Sequence, residues 1–244
     1  MSTNLSTDQI NAFREEGYLI VPGLFDAEEA RILHAAAKAD QAFEDHAYDL
    51  EDGEGGKAQL VLWNKAGEDL WGSIARCERI VNAMEQLLDD EVYHYHSKMS
   101  IKRPRTGGAW SWHQDYGYWY QNGCLYPDLA SAFTAIDPNT RANGCMQVLK
   151  GSHKMGRIEH GRFGDQTGAD AAGGRGRQRR GPDVSPGARH YQRPSESALV
   201  GRRRPHGEGV RGPCIGHQLQ VDVAVQARWH ADVQGLDPAC QPRA

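Results

Sequence analysis

Residues 92–136 read VYHYHSKMSIKRPRTGGAWSWHQDYGYWYQNGCLYPDLASAFTAI. Val92–Ile101, Ala109–Asp115 and Leu129–Ile136 within this stretch are rich in aromatic and β-branched residues with a period near two, and Cys145–Leu149 adds a fourth such run. Turn clusters separate them: Arg105-Thr106-Gly107-Gly108, Asp137-Pro138-Asn139 and Asn143-Gly144. A succession of short strands after leading helices predicts a mainly β fold with flanking α-helices, a sandwich or a barrel.

The helices lie upstream. Ser6-Thr7-Asp8-Gln9 has the spacing of a capping box, Ile10 and Phe13 follow, and Gly17 is placed to end the helix. Tyr18–Val21 reads as a short strand stopped by Pro22. Asp26-Ala27-Glu28-Glu29 repeats the capping logic for a second helix reaching about Ala42. Asp45 to Lys57 is acidic and glycine-rich and reads as a surface loop. Ile80, Met84, Leu87 and Leu88 share one face of a third helix over Ile74–Asp89.

Charge divides the chain unevenly. Residues 1–168 carry 16 basic and 25 acidic groups, whereas residues 169–244 carry 12 and 7, so the net charge of −4 describes neither part. No apolar run approaches the roughly 20 residues of a membrane span, and the N-terminus is polar. Cys77, Cys124, Cys145, Cys214 and Cys240 are scattered, without a C-x-x-C pair. These features predict a soluble protein of the reducing cytoplasm with no membrane partner.

The densest chemical signal is Trp110-Ser111-Trp112-His113-Gln114-Asp115-Tyr116-Gly117-Tyr118-Trp119-Tyr120. In an extended chain, residues two apart project to the same side, so His113 and Asp115 can offer an imidazole nitrogen and a carboxylate oxygen to one metal ion. A second histidine would complete the facial triad of a non-haem Fe(II) site. The same pair also fits a hydrogen-bonded strand edge, and the aromatic run fits either a pocket wall or core packing. His94 and His96 are read as polar positions on one strand face. Ser152 and His153 are adjacent and so face opposite ways, which excludes them as a nucleophile and base.

The stretch from Lys98 to Asp137, followed by NGCMQVLKGSHK, resembles the phytanoyl-CoA dioxygenase family of Fe(II)- and 2-oxoglutarate-dependent oxygenases, and the opening LSTDQINAFREEGYLIVPGLFDAEEA is similar to the start of many members. The resemblance runs from about Leu5 to Gly168. It implies a double-stranded β-helix, or jelly roll, that holds iron through His113 and Asp115, takes 2-oxoglutarate and O2, and hydroxylates a small molecule with release of succinate and carbon dioxide. Gln114, Met99 and Phe133 fall where relatives line the 2-oxoglutarate pocket, and Lys57 resembles a lysine that some relatives place near the co-substrate. Members also carry a second iron histidine on a late strand, followed by an arginine for the distal carboxylate of 2-oxoglutarate. No matching phrase follows Gly168, although His217 and Arg228 have the separation that such a pair requires.

The chain therefore divides into a family domain over residues 1–168 and an Arg/Gly/Pro-rich tail over residues 169–244. Residues 171–212 contain no phenylalanine or methionine to fill a core, and such a composition predicts disorder, with only Ile215–Val225 alternating like a strand. Arg175–Arg180 and Arg202–Arg204 read as solvated charge rather than as a nucleic-acid arm. A jelly roll incomplete at its C-terminal end would leave a catalytically defective remnant or a small-molecule binding protein, the alternative to an active enzyme. The residue mixture of the tail is what out-of-frame translation of a G/C-rich gene produces. The nucleotide sequence downstream of codon 168 tests this: an alternative frame should encode the family's late strands, and its absence removes the idea.

Overall fold

A computed structural model of the chain describes residues 4–103, 106–122, 124–140, 145–169, 199–201 and 216–225. The two capping boxes form as read: Ser6 and Gln9 cap α1 (Thr7–Glu16) reciprocally, and Asp26 and Glu29 cap α2 (Ala27–Ala39). Gly17 ends α1 in the left-handed conformation, φ 79°, where a side chain would be strained. Tyr18–Val21 does not become a strand. Leu19 and Val21 instead pack with Leu5, Phe13, Ala83 and Leu87, burying apolar surface without a ladder.

After the short α3 (Ala42–Asp45), the acidic stretch contains a hairpin rather than a loop. β1 (Tyr48–Glu51) pairs antiparallel with β2 (Lys57–Trp63). Asp52 holds the turn by accepting from the backbone N–H groups of Glu54 and Gly56, each at 2.9 Å. The third helix is two: α4 (Leu70–Ala75), capped by Asp69, and α5 (Glu78–Leu88), with the break at Arg76 and Cys77.

β3 (Val92–Lys102) and β5 (Leu129–Ala135) match the expected strands, with β4 (His113–Gln114) and α6 (Asp115–Trp119) between them. The chain continues through β6 (Gln147–Val148), β7 (His160–Phe163), β8 (Gln166–Ala169), β9 (Leu199–Gly201) and β10 (Gly216–Val225). The larger sheet runs β1-β2-β3-β10-β5 and the smaller β4-β9-β6, while β7 and β8 form a hairpin. Each of the two main sheets thus places a strand from beyond residue 169 between strands from the earlier part. The tail, expected to leave the jelly roll open, supplies β9 and β10.

β10 pairs antiparallel with β3 on one side and β5 on the other. Cross-strand partners project to the same side. Leu219, Val221 and Val223 therefore join Met99 and Ile101 on one face, which meets Leu33, Trp71, Ile80, Met84 and Leu88 of the helices in the main core. The other face is polar and carries His96, Lys98, Ser100, Gln220, Asp222 and Ser131.

Arg79 ties the helical layer together: its guanidinium holds the Glu29 carboxylate at 2.7 Å, donates to Leu24 O at 2.7 Å, and lies 4.6 Å from the Phe25 ring centroid. The hydrogen bond from Arg79, with one from the Asp26 backbone, holds Glu29 down at about 2. A carboxylate whose folded value is depressed adds stability above its unfolded value, near 4.3, and loses it as pH falls through the folded one. Melting curves of the parent and Glu29→Gln should differ most above about pH 4.5 and converge toward pH 2. A constant difference across that window would exclude the pairing as its source.

Candidate metal centre

His113 lies on β4 opposite Val200 of β9, and Asp115 opens α6, so the two side chains come together where a strand turns into a helix. Gln114 between them is extended, φ −113° and ψ 122°, which preserves the same-side projection expected from the sequence. His113 Nε2 and Asp115 Oδ1 are 3.4 Å apart. The other imidazole nitrogen, Nδ1, lies 2.8 Å from the carbonyl of Ser111. A carbonyl can only accept, so Nδ1 carries the proton and Nε2 is left to face Asp115.

Asp115 is buried, and burial alone pushes its carboxyl up. The hydrogen bond from His113 and the charge of Lys98 outweigh that effect and hold it below the ordinary carboxylate range. Its second oxygen, Oδ2, accepts from Ser131 Oγ at 3.1 Å. Imidazole nitrogen and carboxylate oxygen form a donor set suited to a divalent iron. Among the described residues, no group of three or more His, Cys, Asp or Glu could hold a metal ion. His160, which bonds the backbone of Gln114, uses both nitrogens: Nε2 accepts from Gln114 N–H at 2.9 Å and Nδ1 donates to Ile158 O at 2.7 Å. Burial lowers its pKa, in keeping with a neutral ring.

The remaining candidates separate. Phe133 stands opposite Gln220, on the polar face of the large sheet, and lines a cavity of about 680 Å3. This cavity runs along β5 between residues 17–25 and α5, is lined mostly by apolar side chains such as Leu24, Leu33 and Met84, and reaches Asp115. Met99 stands opposite Val61 and Leu219 on the helix-packed face, so the register turns it away from the side that carries Lys98. Lys57 starts β2, is half exposed, and pairs with Asp49 at 3.4 Å. The backbone of His217 stands opposite Ile101 in β10, and Arg228 lies outside the described residues.

The aromatic run also divides. Trp119 meets Tyr95 edge to face, centroids 5.0 Å apart, and lies tilted against His96, 4.7 Å apart, and Tyr116 packs with Cys124 and Leu129. Trp112, Tyr118 and Tyr120 stay partly exposed. His94 and His96 do not share a face, because the β3–β10 register skips Tyr95. His94 Nε2 meets Ser97 Oγ at 2.6 Å, whereas His96 Nε2 lies 2.7 Å from Asp222 Oδ2.

A buried polar group beside His113 and Asp115 escaped the sequence reading. Asp222, His96, Lys98, Gln220 and Ser131 converge between the sheets, with Lys98 Nζ 3.9 Å from Asp222 Oδ2. The signal was present as a carboxylate set among valines in Leu219–Val225, opposite the polar positions of β3.

The description "Phytanoyl-CoA dioxygenase" belongs to the family whose pattern matches residues 13–196. An L-proline trans-4-hydroxylase of Streptomyces griseoviridis is 33% identical over 93 residues, covering 38% of this chain and 35% of that protein. An ectoine dioxygenase of Stutzerimonas stutzeri is 25% identical over 154 residues, covering 62% and 51%. The chain thus spans about half or less of the length of these relatives. Among solved structures, EctD from S. alaskensis with 2-oxoglutarate and 5-hydroxyectoine gives a TM-score of 0.62 at 18% identity, covering 91% of this chain and 77% of that one. The epimerase SnoN in complex with Fe3+, alpha ketoglutarate and nogalamycin RO gives 0.63 at 14%, covering 89% and 82%. At these identities the likeness is one of fold, and the fold is the jelly roll.

Gln114, expected beside the co-substrate, is fully buried with its amide engaged elsewhere: Nε2 donates to Gly156 O at 2.9 Å and Oε1 accepts from Ile158 N–H at 3.1 Å. Gln114→Ala leaves both loop groups unmet and should cost about 1–3 kcal/mol in chemical denaturation. An unchanged midpoint would show that the loop is held by other contacts.

Proposed function

The chain belongs to the phytanoyl-CoA dioxygenase family, and on that premise we propose that it is an Fe(II)- and 2-oxoglutarate-dependent dioxygenase that hydroxylates a C–H bond of a small molecule. The observation that carries this reading is the convergence of His113 Nε2 and Asp115 Oδ1, 3.4 Å apart and each held from behind. These two residues would hold the iron. When bound, the iron supplies the oxidising power, with 2-oxoglutarate and O2 consumed to give succinate and carbon dioxide.

The protein's own part is preparation. Ser111 O keeps the Nδ1 proton of His113 in place and thereby aims Nε2 inward. Nε2 would then offer its lone pair, and Asp115 its carboxylate, to a divalent ion. Asp115 stays anionic at neutral pH because His113 and Lys98 outweigh its burial. The cavity beside Phe133 has a volume within the range of roughly 300–1,000 Å3 common to small-molecule sites. Its apolar walls favour exclusion of water from the reacting centre. Phe133 is thus the co-substrate candidate best supported by position, since Gln114 is engaged with the 156–158 loop and Met99 with the helices.

Anaerobic titration with Fe(II) and 2-oxoglutarate tests the reading. The parent chain should develop the weak visible charge-transfer band of the bound pair and form succinate on admission of air, and His113→Ala should lose both. A folded parent chain showing neither band nor succinate would overturn the assignment and leave a non-catalytic binding protein.

A further inference from the structure

We propose that Asp222, acting through Ser131, is a positioning residue for the Asp115 carboxylate, so that β10 serves the metal centre without ligating the metal. The inference rests on reading His113 and Asp115 as metal ligands.

The two oxygens of Asp115 have separate partners. Oδ1 faces His113 Nε2 at 3.4 Å, and Oδ2 is held by Ser131 Oγ at 3.1 Å. Ser131 Oγ is also hydrogen-bonded to Asp222 Oδ1. Gln220 Nε2 donates to both, at 3.3 Å to Ser131 Oγ and 2.7 Å to Asp222 Oδ1. A hydroxyl has one proton and two lone pairs. Ser131 therefore accepts from Gln220 and shares its single proton between two carboxylates, which ties Asp115 Oδ2 to β10, a strand paired on both sides.

Charge balance gives Asp222 a second part. It is 2% exposed, and a buried carboxylate is costly unless paired. Lys98, at 3.9 Å, supplies the opposite charge, and His96 Nε2 lies 2.7 Å from the same oxygen. Lys98 also acts on Asp115. With Asp222 present, the ammonium has a carboxylate of its own and Asp115 Oδ1 is left for a cation. With Asp222 neutralised, Asp115 becomes the remaining carboxylate for Lys98, in competition with the metal.

Co(II) titration of the full chain, followed by its visible absorption, separates the possibilities without relying on turnover. Groups that orient a ligand typically change metal affinity 10–100-fold. Asp222→Asn should raise the Co(II) dissociation constant by roughly that factor, Ser131→Ala should change it in the same direction, and Ser131→Thr, which keeps the hydroxyl, should restore it. Val221→Ala, on the same strand but facing the helices, should lower the melting temperature and leave Co(II) affinity unchanged. Equal affinity in Asp222→Asn, Ser131→Ala and the parent would overturn the proposal, as would an equal loss in Val221→Ala. Should Asp222→Asn fail to fold, Ser131→Ala, which removes a single oxygen, decides. A folded parent chain that binds no Co(II) strikes the ligand reading itself, and this inference with it.

Discussion

The sheet that carries the site depends on β10 lying between β3 and β5 with its side chains divided. Leu219, Val221 and Val223 are fully buried against the helices, and burial of such side chains stabilises by about 1.5–3 kcal/mol each. Gln220 and Asp222 project to the opposite side, where they can be tolerated only because Ser131, His96 and Lys98 meet them. The ladder joins these demands, since a slip of one residue would send a carboxylate into the helix-packed core and a valine toward Asp115. β10 thus fixes both the core and the polar floor of the site.

Local rules were legible in the sequence where one short-range interaction decides the outcome. Ser6 with Gln9, Asp26 with Glu29, and the alternation of residues 216–225 each appear in the structure as read. The His113/Asp115 pair was legible too, because an extended residue between them needs no tertiary help. Long-range pairing was not. The acidic stretch became a hairpin because β2 found β3, while Tyr18–Val21 found no strand partner and packed on α5 instead. The histidines of β3 were misplaced by period counting, which assumes an unbroken ladder.

Two loop contacts hold the site region to the helical layer. The 151–155 segment grips the end of α1: Gly151 N–H donates to Glu16 O at 2.8 Å, and His153 Nε2 donates to Arg14 O at 2.9 Å. Gly17 is required there, since a Cβ would stand 2.2 Å from His153 Nδ1. The 156–158 segment then runs directly to the Gln114 amide, between the two candidate ligands. His153, buried and bonded to α1, belongs to this mechanical link, with Ser152 buried beside it.

The skipped Tyr95 works like a dislocation in a crystal. On its far side, from Val92 to His94, the pleat of β3 is one step out of phase with the half that carries His96 and Lys98. One strand thereby serves two settings: His94 meets Ser97 before the fault, while His96 and Lys98 face Asp222 beyond it.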